Sequence, residues 1–111
     1  MDATVGTFES AVIERSHELP VIVDFWAPWC GPCHRLAPVL ENEVAQRDGS
    51  VTLVKVNVDE NPELAHRYGI GGIPSVKAFR DGAVVDQFVG AVPPSVVRTF
   101  LDGLPGGQAA A

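Results

Sequence analysis

Val21-Ile22-Val23-Asp24-Phe25-Trp26-Ala27-Pro28-Trp29-Cys30-Gly31-Pro32-Cys33 is the stretch on which the fold turns. Its first six residues are apolar except Asp24, as expected of a central strand covered on both faces. The chain's only two cysteines follow, where that strand gives way to a helix. Two thiols with two residues between them can close into a small disulfide and reopen. So small a ring adds little loop-closure entropy and makes a poor structural staple. Cys30 can also face the partly positive N-terminus of the following helix, which favours a thiolate. The pair reads as a working dithiol.

Outward from the cysteines, a helix is predicted to about Asp48. Leu36, Ala37, Leu40 and Val44 recur at helical spacing, and Arg35, Glu41, Asn42 and Gln46 take the wet side. Pro38 falls inside it and predicts a kink. Upstream, a short helix is expected from Thr7, as N-cap, to Arg15, with Phe8, Val12 and Ile13 turned inward. Val51 to Val58 predicts a second strand alternating around Lys55. Asn61-Pro62 predicts an N-cap and first-turn proline, with Leu64, Ala65 and Tyr68 buried and Gly69 as the stop.

Ile73-Pro74 leads into a strand from about Ser75 to Phe79. Asp81-Gly82 is a two-residue hairpin signal that pairs it antiparallel with Val84 to Val89. A last helix from Pro94 to Leu101 should turn Val96, Val97, Phe100 and Leu101 inward, with Gly103 ending it. From Leu104 the chain reads as a frayed tail, so a single domain is expected over residues 1–104 and a disordered tail over 105–111. Strands separated by helices, then a hairpin and a final helix, give an α/β fold with a mixed sheet layered by helices. In such sheets chemistry sits at the carboxyl ends of the parallel strands, where this dithiol falls.

Composition narrows the function. The chain has 111 residues, of which 46% are apolar, and a net charge of -6 from 14 acidic and 8 basic residues. That describes one globular domain and disfavours nucleic acid as a partner. No apolar run is long enough to span a bilayer. Met1-Asp2-Ala3-Thr4 lacks a basic region followed by an apolar one, and the single cysteine pair fits a reducing compartment, so a cytoplasmic location is expected. Two cysteines make only half a structural zinc site, so no metal is expected. A monomer is the default.

Three segments carry a resemblance to the thioredoxin family, which covers the chain from about Pro20 to Leu101. Val23 to Cys33 looks like the family's active-site stretch, and Gly72-Ile73-Pro74 resembles its second signature, in which the proline peptide bond is cis. Val89-Gly90-Ala91 resembles a third segment that lies beside the dithiol. The resemblance implies the thioredoxin fold, with about five strands and about four α-helices. It also implies protein-disulfide reduction through a redox disulfide between Cys30 and Cys33, with no bound cofactor. Electrons would come from NADPH through a thioredoxin reductase, and the clients would be disulfide-containing proteins.

On that resemblance Cys30, nearer the exposed edge, is the nucleophile that forms a mixed disulfide, and Cys33 resolves it. Gly31 permits the tight approach, while Pro32 stiffens the loop in the manner of a reductant. Asp24 is either a strand-end carboxylate reaching solvent or a buried acid that moves protons to and from Cys33. The family's aspartate at the matching position favours the second. Lys55 resembles that aspartate's modulating partner, against a lysine merely snorkelling to solvent. A cis Pro74 would leave the Ile73 backbone free for an extended substrate and bar metal from the thiols. Trp29, Gly72, Ile73, Gly90 and Ala91 would form a flat apolar patch for protein substrates, with Trp26 in the core.

His34 stands where many thioredoxins have lysine or arginine, either tuning the dithiol or as a bystander; His17 and His66 read as solvated. Pro28, Gly71 and Ser75 also depart from the family pattern, which bears on partner preference. The competing readings are a redox partner dedicated to one client, an exported oxidant or isomerase, and a binding module with an idle dithiol.

Overall fold

The computed structural model describes residues 1–105. A four-stranded sheet has the order β2-β1-β3-β4, formed by β1 (Val21–Trp26), β2 (Thr52–Asn57), β3 (Ser75–Arg80) and β4 (Ala83–Val89). β1 pairs parallel with β2 and antiparallel with β3, which makes it central and explains its apolar run. Asp81 and Gly82 turn β3 into β4 with φ of 54° and 81°, the two positive values that a type I′ turn needs.

Three α-helices are present among the described residues: α1 (Gly31–Ala45), α2 (Pro62–Arg67) and α3 (Pro94–Asp102). One face of the sheet packs Val21, Val23, Phe25, Val54, Val56 and Phe79 against Phe8, Val12 and Leu64. The other packs Ile22, Val76 and Ala78 against Leu36 and Leu40 of α1 and Val97, Phe100 and Leu101 of α3. Each such valine, leucine, isoleucine or phenylalanine side chain contributes about 1.5–3 kcal/mol when fully buried. None of the helices among the described residues is long and apolar enough to cross a membrane.

Several expectations need correction. The implied fifth strand is a single parallel bridge, Asp2 to Lys55, because only the Met1 carbonyl and the Ala3 amide reach β2. The first helix is a π-helix over Glu9–Glu14 followed by a 3-10 turn over Arg15–His17. Thr7 does not cap it: its Oγ1 accepts from the Thr4 amide, and the helical turn starts at the Thr4 carbonyl. α1 stops at Ala45 rather than near Asp48, since Asp48 and Gly49 both take positive φ to reverse the chain. Pro38 lies within α1, where the His34 carbonyl loses its helical donor.

Asn61 sits at the α2 N-cap without capping it. Its Oδ1 accepts from the Val5 amide and its Nδ2 donates to the Asn57 carbonyl, which ties the N-terminus to α2. Val96 is 42% exposed rather than inward, while Leu104, read as the start of the tail, is buried beside α3. Of the expected disordered tail, Pro105 is described and exposed, and 106–111 lie outside the described residues.

Candidate active site

β1 and β2 run parallel and end at the same edge of the sheet, so the loop after β1 and the loop after β2 meet there. Trp26 to Gly31 crosses that edge and enters α1. Cys30 is the N-cap of α1, and its Sγ accepts a hydrogen bond from the Cys33 amide at 3.2 Å. No acidic side chain occupies the first turn to offset the helix's positive end. A thiolate on Cys30 therefore gains a charge-assisted hydrogen bond and the helix field together.

The two cysteines are joined as a disulfide with Cα atoms 5.3 Å apart. Cys30 is 3% exposed and Cys33 2%, so exposure does not separate them as expected; the amide hydrogen bond does.

The Ile73–Pro74 bond is cis, and Pro74 is buried. The Ile73 carbonyl lies 3.8 Å from Cys30 Sγ, which brings the second sequence segment to the dithiol. The third arrives through a hydrogen bond from the Gly90 amide to the Pro74 carbonyl at 2.8 Å. Gly90 has φ of 100°, a conformation that side chains disfavour. A Cβ on Gly72 would lie 3.5 Å from Val89 Cγ1, so the segment before Pro74 meets the end of β4. Trp29, next to Cys30 in the chain, is 70% exposed.

One residue at this end of the sheet escapes sequence reasoning: Asp59 Oδ2 accepts from Trp29 Nε1 at 3.0 Å and fixes the indole. The only signal for Asp59 was its place just beyond the end of β2, parallel to β1.

Asp24 shares the β1 face of Ile22, which α1 covers; Cys33 lies on the buried side of α1, one turn before Leu36. The carboxyl is 1% exposed, and its Oδ1 has no hydrogen-bond partner among the described residues. Burial pushes its pKa up to about 6, Lys55 pulls it down and Glu41 pushes it up. The reading of a strand-end carboxylate in solvent is therefore wrong.

Lys55 is the β2 residue in register with Asp24, but its Nζ lies 3.4 Å from Glu41 Oε2 and 5.4 Å from the Trp26 ring centroid. Trp26 is half-buried against the cysteine cluster, with Nε1 unpartnered among the described residues. His34 joins its Nε2 to the Pro28 carbonyl at 2.7 Å and meets Trp26 edge-on. No group of three or more His, Cys, Asp and Glu among the described residues is placed to hold a metal.

A thioredoxin family model matches residues 1–103. The chain belongs to the thioredoxin family. Thioredoxin 1 of Synechococcus elongatus is 50% identical over 99 residues, covering 89% of this chain and 91% of that protein. A thioredoxin of Synechocystis sp. is 52% identical over 97 residues, covering 87% and 89%. As a thioredoxin with its cysteine pair in place, the protein is a thiol-disulfide oxidoreductase that reduces protein disulfides. The helix-capping dithiol, the cis-proline segment and the Gly90 turn are the parts of the fold that meet at its reactive end.

Proposed function

We propose that Cys30 is the nucleophile, Cys33 the resolving thiol and Asp24 the proton carrier of this exchange. The observation that carries the assignment is the Cys33 amide hydrogen bond to Cys30 Sγ at the start of α1. In the dithiol form the Cys30 thiolate attacks one sulfur of a substrate disulfide. That bond breaks, a mixed disulfide forms, and the leaving thiolate takes a proton. Cys33 then gives its proton to the Asp24 carboxylate and attacks Cys30 Sγ. The intramolecular disulfide forms, the second substrate thiolate leaves, and two electrons have passed to the substrate.

Residues 1–104 act as one catalytic domain, and the protein works as a monomer. The apolar surface of Trp29, Gly72, Ile73, Gly90 and Ala91 receives an extended substrate segment beside the Ile73 backbone. Gly31 keeps the approach open, Pro32 stiffens the turn, and His34 holds the Pro28 carbonyl of the same loop. The family works with a reductase and with disulfide-bearing clients. The finer reading is that NADPH supplies the electrons through a thioredoxin reductase in a cytoplasmic, reducing compartment.

Insulin disulfide reduction tests this, with dithiothreitol and then with NADPH plus a thioredoxin reductase. Catalysis in both is expected. Activity with dithiothreitol alone would reject this electron source, and activity in neither would reject the catalytic reading.

Docking has its own test. Asp59→Ala removes a hydrogen bond worth about 1 kcal/mol at this exposed site. KM for a protein disulfide is expected to rise up to about fivefold with kcat nearly unchanged. The Trp29 indole N–H should exchange faster with solvent. If neither changes, Asp59 does not hold the ring for docking.

A further inference from the structure

One ammonium stands between two carboxyl groups across the seam of α1 and β2. Asp24 on β1 is buried, Lys55 on β2 has a side chain 23% exposed, and Glu41 on α1 has one 55% exposed. Lys55 is beside Asp24 in the strand register, yet its Nζ is drawn to Glu41 Oε2 and over the Trp26 ring. Among the described residues, Asp24 Oδ1 is left without a hydrogen bond. The other groups packed on this face are the Cys33 sulfur from α1, Val76 from β3, and Val97, Phe100 and Leu101 from α3. His34 is engaged with Pro28.

A cation fully committed to Asp24 would hold it as a permanent carboxylate. A cation absent from the site would leave a buried acid that stays protonated near neutrality. Neither extreme suits a group that must both take and return a proton. Glu41 moves the site away from the first extreme in two ways of the same sign: its own charge disfavours a second carboxylate nearby, and its hold on Lys55 keeps the ammonium from turning inward.

We propose that Glu41 is a positioning residue for Asp24, acting through Lys55 to keep the buried carboxyl able to exchange a proton. Its bearing on catalysis rests on the reading of Asp24 as the proton carrier. Glu41 is exposed at the surface of α1, and Glu41→Gln keeps its shape while removing the charge.

The test follows the Asp24 carboxyl carbon by NMR titration in the oxidised wild type, Glu41→Gln, Lys55→Gln and the double variant. The wild-type midpoint near 6 is expected to fall in Glu41→Gln and to rise in Lys55→Gln. On the Lys55→Gln background, Glu41→Gln should move it by less than half as much. An unmoved or raised midpoint in Glu41→Gln overturns the proposal, and so does an equal movement on both backgrounds. The pH profile of insulin reduction is measured alongside. If the carboxyl midpoint falls and that profile does not follow, the proton-carrier reading fails while the coupling from Glu41 to Asp24 stands.

Discussion

Cys30→Ser is expected to abolish disulfide reduction, whereas Cys33→Ser should stop the cycle one step later and accumulate a covalent complex. The asymmetry follows from the start of α1. Only Cys30 is an N-cap sulfur, with the Cys33 amide 3.2 Å away to stabilise its thiolate. Serine at position 30 offers a hydroxyl that does not ionise in this pH range, so no bond to substrate sulfur forms. Serine at position 33 leaves the first attack intact but removes the thiol that displaces the substrate. A disulfide-bearing client mixed with reduced Cys33→Ser protein should give a dithiothreitol-sensitive adduct on a non-reducing gel. Its mass should equal the two chains joined. Cys30→Ser should give none. Adducts with Cys30→Ser instead would reverse the roles of the two cysteines.

What could be read in advance was whatever one chain segment determines. Asp24 is conspicuous because it breaks an apolar strand, and Asp81-Gly82 announces its turn because backbone conformation there depends on two residues. The three segments at the reactive end were likewise visible as motifs. What escaped depends on partners from different elements. Asp59 matters only because β1 and β2 end together and bring Trp29 to it. Glu41 looks like any wet-side helix residue until β2 places Lys55 opposite.

Asn61 has the residue type of a cap, yet the Val5 amide 56 positions earlier takes its oxygen. Val96 and Leu104 depart from the helical pattern for a similar reason. Helical spacing marks an apolar stripe, but the edge of the sheet decides where cover ends, and here it leaves Val96 outside and draws Leu104 in.

Asp24→Asn should stabilise the folded protein at neutral pH, with a gain that disappears in acid. Burial raises the folded pKa from 3.8 to about 6, so the native state holds this proton more tightly than the unfolded chain does. The stability linked to that proton is fully present below about 3.8 and is lost as pH rises through 6. By pH 7 the wild type carries an ionised buried carboxyl at a cost of about 3 kcal/mol. Asparagine has nearly the same shape and no charge to bury. The melting temperatures of the two oxidised proteins should therefore coincide near pH 3.5 and separate upward. At pH 7 the variant should lead by on the order of 10 °C.

On the proposal that Asp24 accepts the Cys33 proton, the same substitution should lower turnover by up to about a hundredfold at pH 7. One variant therefore measures both the cost of this charge to the fold and its proposed gain to the reaction. Parallel melting curves across the whole pH range would show that Asp24 does not bear its charge at a cost. The energetic ground for its role as proton carrier would then be gone.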